Sequence, residues 1–115
     1  VFGCGGDRDA GKRPLMGRAA SEEADLAVVT TDNPRTEDPA VIARQVVQGM
    51  GPDDYELEPD RRRAIARALE LAGPEDVVLL AGKGHEDYQV FGHRKEPFDE
   101  ARIVAELTAD GGGAP

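Results

Sequence analysis

Three short segments of this chain set charged side chains among residues that bend or stiffen the backbone. The first, Gly6-Asp7-Arg8-Asp9-Ala10-Gly11-Lys12, has the two glycines and the lysine of a phosphate loop at the right spacing. The next position should carry a Ser or Thr hydroxyl to hold magnesium, and it carries Arg13, followed by Pro14. The stretch is therefore a near miss for an ATP loop. It also fails the dinucleotide fingerprint, because Gly3-Cys4-Gly5 is followed by Arg8 where the third glycine belongs. Two readings of Arg8 stand side by side. One is a solvated charge on a strand-to-helix turn. The other is a guanidinium that meets an anion, with glycines admitting the ligand and a helix amino end adding positive potential.

The second segment is Asp32-Asn33-Pro34-Arg35. Asp and Asn bond their own backbone, and Pro34 pushes Asn33 towards an extended conformation. A stiff turn holds Arg35 in one place, where its planar fork of donors suits two-point contact with a carboxylate. An ordinary exposed arginine is the competing reading. The third segment, Gly82-Lys83-Gly84-His85-Glu86, offers glycines for close approach and charges of both signs. A helix cap or charged turn competes here too. Together the segments would suit a zwitterion, with Arg8 and Arg35 holding its carboxylate and Glu86 its ammonium.

Other candidates carry less. No nucleophile is paired with a base, so no catalytic residue is assigned. Cys4 reads as a packing thiol. His85 and His93 lack a third ligand, and no second His follows His85-Glu86 at zinc-protease spacing, so no metal site is expected. The run Arg61-Arg62-Arg63 reads as the solvated face of a helix.

Each of the three segments follows an apolar run, which defines the elements that must position them. The chain opens Val1-Phe2 and falls into a glycine turn, like the end of a strand, and so reads as part of a longer protein. Residues 12–24 suit a helix with Leu15, Ala19 and Ala20 inward; residues 26–30 suit a strand. Asp38-Pro39 caps a helix whose stripe is Ile42, Val46 and Val47 and which Gly49 stops. Residues 55–57 read as a short strand, and Asp60 caps a helix with Ile65, Ala68, Leu69 and Ala72 inward. Residues 77–81, apolar throughout, read as a central parallel strand covered on both faces. Residues 88–91 suit an edge strand, and Asp99 begins a helix burying Ile103, Val104 and Leu107. This alternation predicts an α/β, Rossmann-like layered domain with a mostly parallel sheet and an antiparallel edge strand. Ligands on such sheets sit at the carboxyl ends of the strands, where all three charged segments fall.

The chain has 115 residues, room for one small domain, assigned to residues 1–109, with a disordered glycine-rich tail at 110–115. Its 23 acids against 14 bases give a formal charge of −9, which disfavours nucleic acid or an anionic membrane as partner. No apolar stretch approaches a membrane span. A single cysteine excludes an internal disulfide and suits a reducing, cytoplasmic setting.

With these segments in place, the chain resembles the carboxy-terminal domain of the Mur ligases. The likeness rests on Phe2-Gly-Cys-Gly-Gly-Asp-Arg-Asp9 followed by Gly11-Lys-Arg-Pro-Leu-Met16, on Asp32-Asn-Pro-Arg35, and on Ala81-Gly-Lys-Gly-His-Glu-Asp-Tyr-Gln89, in that order. Each alone is weak; the three in order are specific. The resemblance is to the branch that adds meso-2,6-diaminopimelate to UDP-N-acetylmuramoyl-L-alanyl-D-glutamate in peptidoglycan synthesis. It implies a module that presents the amino acid, with Arg8, Asp32, Asn33, Pro34, Arg35, Gly82 and Glu86 contacting diaminopimelate. It also implies that ATP and magnesium, and the UDP-linked acceptor, are bound by preceding domains. In that family an acyl phosphate on the D-glutamate side chain is attacked by the incoming amine, so this module alone would be inactive. Relatives that add lysine differ at the Asp-Asn-Pro-Arg motif. Two alternatives remain: a non-catalytic anion- or amino-acid-binding module on the same scaffold, and the domain of a lysine-adding relative.

Overall fold

In the computed structural model, residues 1–83 and 86–109 are described; the expectations for Gly84, His85 and the tail at 110–115 lie outside them. Helix α1 (Lys12–Glu23) leads to strand β1 (Ala27–Val29), then helix α2 (Pro39–Val47) and strand β2 (Tyr55–Leu57). Helix α3 (Arg61–Leu71) follows, then the hairpin β3 (Tyr88–Phe91) and β4 (Arg94–Pro97), and helix α4 (Glu100–Leu107). The caps are those the sequence predicts. Asp38 accepts from Ala40 N with Pro39 in the first turn, Asp60 accepts from Arg63 N, and Asp99 accepts from Arg102 N.

β1 pairs in parallel with β2, Ala27 opposite Tyr55 and Val29 opposite Leu57. On its other side Phe2 bridges Val29, with Phe2 N donating to Val28 O and Thr30 N to Phe2 O. Residues 79–81 extend this order one place further: Ala81 N donates to Val1 O and Val1 N to Leu79 O, each at 2.9 Å. Ala27 and Val29 point into a core with Phe2, Cys4, Ile42 and Val46. Val28 points to the opposite face, where α3 packs with Ala64 and Ile65 fully enclosed. The expected α/β domain is present, and its antiparallel part is the β3–β4 hairpin, turned at Gly92 with φ 62°.

Three local expectations are corrected, and one strand is added. Residues 77–81 are not a central strand. They lie on the sheet's outer edge beyond Val1, with Val77 92% and Leu79 71% exposed. An apolar run signals a buried strand without saying how far across the sheet it lies. Helix α1 buries Arg13 and Gly17, while Leu15 and Ala19 are exposed. Its contact face is set by close approach to α2, since a Cβ on Gly17 would lie 2.0 Å from Val46 O. Arg61, expected on a solvated face, is buried, whereas Arg62 and Arg63 are exposed. Strand β4 went unpredicted, because Arg94-Lys95-Glu96-Pro97 has no apolar pattern.

Candidate functional site

All expected site residues cluster past the carboxyl ends of the parallel segments, at the positions an α/β sheet uses for ligands. The glycine loop and the Asp32–Arg35 turn are braced against each other. Gly6 N donates to Asn33 O at 2.7 Å, and Arg35 Nη1 donates to Gly6 O at 2.9 Å. Only glycine permits this approach: a Cβ on Gly6 would lie 1.7 Å from Pro34 O. Asp7, at φ 54°, accepts from Thr36 Oγ1 at 2.6 Å. Arg35 itself sits at φ 53°, a left-handed conformation unusual for a side chain of its size.

Behind this pair lies Arg13, 1% exposed. Its guanidinium donates to both carboxylate oxygens of Glu37 at 2.9 Å, to Gln45 Oε1 at 2.7 Å and to Gly5 O at 3.0 Å. The Arg13 hydrogen bonds, with a third from Asp7 N, hold the Glu37 carboxyl at about 2, well below its ordinary 4.5. One buried cation thus ties α1, the glycine loop, the segment after Arg35 and α2.

The turn is gripped from the other side by β3. Arg35 N donates to Val90 O and Gly92 N to Arg35 O, while Val90 N donates to Asn33 Oδ1. Gln89 Nε2 donates to the carbonyls of Thr31 and Asp32. Asn33 Nδ2 makes a long 3.4 Å contact to Glu86 Oε1, which joins the third segment to the second. Lys83 Nζ donates to Asn33 Oδ1 at 3.1 Å and to Tyr88 O at 2.7 Å. Arg61 bonds Glu100 at 2.7 Å and the carbonyls of Thr31 and Ala81, the residues just before the two turns.

The structure therefore gathers Arg8, Asn33, Pro34, Arg35 and Glu86 at one place, with Asp32 beneath them beside Lys83. Gly82, at φ 107°, sits next to Gly3 at the neighbouring segment end. A Cβ on Gly5 would lie 2.9 Å from Arg35 Nη1 and 3.6 Å from Arg8 Cγ, so both arginines border one bare patch of backbone. Among the described residues neither has a carboxylate within ion-pair distance, in a chain with a large acidic excess. Guanidiniums bond carboxylates in two-point, charge-assisted contacts. Grooves of ≈ 460 Å³ and ≈ 550 Å³ open elsewhere, and none of Arg8, Asn33, Arg35 or Glu86 lines either. Arg8 is exposed, and Gly5, Arg35 and Glu86 are half-buried, so the cluster forms a shelf at the surface.

A family model described as "Mur ligase, glutamate ligase domain" matches residues 1–84. The chain belongs to the Mur ligase family. Among its relatives, the UDP-N-acetylmuramoyl-L-alanyl-D-glutamate--2,6-diaminopimelate ligase of Alkalilimnicola ehrlichii is 54% identical over 99% of this chain and 23% of its own length. The enzyme of the same name from Synechocystis is 59% identical over 92% of this chain and 21% of its own. A solved structure of a ligase of that name superposes with a TM-score of 0.90 at 45% identity, covering 95% of this chain and 23% of that one. The Mur ligase domain described here thus spans under a quarter of the length of these relatives.

ATP and magnesium do not fit the glycine loop of this Mur ligase domain. Arg13, standing where the metal-binding hydroxyl belongs, is withdrawn into its bond with Glu37. Among the described residues no cluster of three or more His, Cys, Asp or Glu could hold a metal, and no helix is long and apolar enough to cross a membrane. Sequence reasoning missed Arg13, Lys83 and Arg61 as parts of the site. The near-miss phosphate loop did single out Arg13, but as an absence of Ser or Thr. Nothing local marked any of the three as buried.

Proposed function

We propose that this domain holds meso-2,6-diaminopimelate for an ATP-dependent ligase that joins it to UDP-N-acetylmuramoyl-L-alanyl-D-glutamate in peptidoglycan synthesis. One observation carries the reading. Two guanidiniums with no carboxylate in ion-pair reach among the described residues share a shelf with the Asn33–Glu86 pair. Diaminopimelate ends in a carboxylate and an ammonium on one carbon, and this arrangement offers a partner to each. Arg35 Nη1 is spent on Gly6 O, which fixes the plane of the fork. Its Nε and Nη2 make no hydrogen bond among the described residues, leaving the edge that a carboxylate takes in two-point contact. The names of the relatives support the same substrate. Lysine, whose far end is a bare methylene-ammonium, would leave Arg35 facing no anion, which opposes the lysine-adding reading.

The domain's share of the reaction is positioning: it anchors the far end so that the near amine is presented to the activated D-glutamate carboxyl. ATP, magnesium and the UDP-linked acceptor fall to the other domains of the ligase, in the cytoplasm. The 115-residue chain alone is therefore expected to show no magnesium-dependent ATP turnover. The deciding experiment is kinetic. In the full-length ligase, Arg35→Ala should lose roughly 2–4 kcal/mol in kcat/KM for diaminopimelate and discriminate less against lysine. Arg35→Lys, which keeps the charge without the fork, should also weaken diaminopimelate use. Near-wild-type rate and selectivity in Arg35→Ala would reduce the residue to a surface arginine and end this assignment.

A further inference from the structure

The least expected group in the site is the ammonium of Lys83, whose side chain is wholly enclosed. Four oxygens surround it: Tyr88 O at 2.7 Å, Asn33 Oδ1 at 3.1 Å, Asp32 Oδ1 at 3.2 Å and Glu86 Oε1 at 3.5 Å. An ammonium has three protons. Tyr88 O and Asn33 Oδ1 take two in hydrogen-bond geometry. The third faces two carboxylates, and Asp32 Oδ1, though nearer, lacks hydrogen-bond geometry and is buried with no hydrogen-bond partner among the described residues. One positive charge thus stands against two negative ones, leaving a single unit of negative charge. Asp32 lies deeper, with 14% of its side chain exposed, and Glu86 opens outward with 33%. The surplus negative charge is presented on the Glu86 side.

Lys83 also helps to fix which way the Asn33 amide points. Two donors, Lys83 Nζ and Val90 N, converge on one atom of that amide, which must therefore be its oxygen. The Nδ2 group is left facing Glu86. With its own protons committed inside the fold, Lys83 has none to offer a ligand. It acts through the two groups it orients.

We propose that Lys83 is a positioning residue: it holds the Glu86 carboxylate, directly and through the Asn33 Nδ2 group that faces it, for the ammonium at the far end of the amino-acid substrate. The inference rests on the reading that the shelf takes diaminopimelate, and it separates the two halves of recognition. Arg8 and Arg35 would read the far carboxylate without Lys83, whereas the ammonium would be read only with Lys83 in place. Without its charge, Asp32 and Glu86 confront each other with no cation between them, and the Asn33 amide keeps only Val90 N to fix its turn.

The test compares two substrates in the full-length ligase. One is meso-diaminopimelate; the other is 2-aminopimelate, which keeps the carbon chain and both carboxylates and lacks the far amine. Lys83→Met should raise KM for diaminopimelate so that kcat/KM falls about tenfold or more, and change kcat/KM for 2-aminopimelate by less than about threefold. The preference for the second amine then collapses. Lys83→Gln keeps a donor in the cavity without the charge; it is read on the same ratio if the methionine variant does not fold. An equal fall for both substrates would show a merely structural lysine, and an unchanged kcat/KM for both would remove Lys83 from recognition. Either result overturns the proposal while leaving the substrate assignment intact. That assignment fails separately if the unsubstituted ligase makes no use of diaminopimelate.

Discussion

Arg35 pays for its place with a left-handed backbone at φ 53°, which persists because Val90, Gly92, Gly6 and Asn33 all bond to it. Glycine adopts that conformation freely, and alanine does not. Arg35→Gly should therefore be more stable than Arg35→Ala by about 1 kcal/mol, although both lose the same side chain. Urea midpoints of the two variants measure the difference; equal midpoints would mean that the backbone is unstrained. Glu37 makes a pH-dependent prediction. Its folded pKa, about 2, lies below its ordinary 4.5, so its stabilising effect is complete above 4.5 and is lost as pH falls towards 2. In acid titrations followed by circular dichroism, Glu37→Gln should lose less stability between pH 5 and pH 3 than the unsubstituted chain, in the same two scans. The recognition residues were legible because turn chemistry is local: Asn33, Pro34 and the glycines announce a bend, and a charge beside a bend draws notice. Arg13, Lys83 and Arg61 were not legible, because burial of a cation depends on carboxylates and carbonyls supplied by distant parts of the chain.

Helix starts were read correctly at Asp38, Asp60 and Asp99 for the same local reason. The contact face of α1 is not legible in its sequence, which favours none. Its two leucine-sized apolar residues, Leu15 and Met16, are exposed, and the helix meets α2 through Gly17 instead. This contact makes a prediction opposite to helix propensity. In an ordinary helix interior, alanine for glycine gains about 1 kcal/mol. Here the added Cβ would meet Val46 O at 2.0 Å, so Gly17→Ala should destabilise the fold by about 1–3 kcal/mol as the two helices are forced apart. Denaturant unfolding decides the sign, and a stabilised variant would show that the helices are not in close contact. β4 escaped notice because its charged residues alternate with nothing apolar; it is defined by pairing with β3, from Tyr88 opposite Pro97 to Phe91 opposite Arg94.

Across the whole molecule, the α/β class followed from the alternation of runs, while the left-to-right order of the sheet did not. Residues 77–81 have the strongest apolar run, yet they flank Val1 at the rim. Truncating Leu79 should therefore cost little, within about 0.5 kcal/mol, as for other exposed positions. Ile65→Ala, in the enclosed layer between α3 and β1, should cost about 2–5 kcal/mol. Comparable losses from the two would restore residues 77–81 to the interior. The three enclosed cations have a consequence for how such a domain can diverge. Arg13 with Glu37, Arg61 with Glu100 and Lys83 with Asp32 each pair an enclosed cation with an acid from a distant part of the chain. Losing the acid leaves an enclosed cation short of counter-charge, whereas replacing both at once is tolerated far better. Single steps at these six positions are therefore costly, and drift is favoured through paired changes. In an alignment of Mur ligase carboxy-terminal domains, positions 13 and 37, 61 and 100, and 83 and 32 should each change together or stay fixed together.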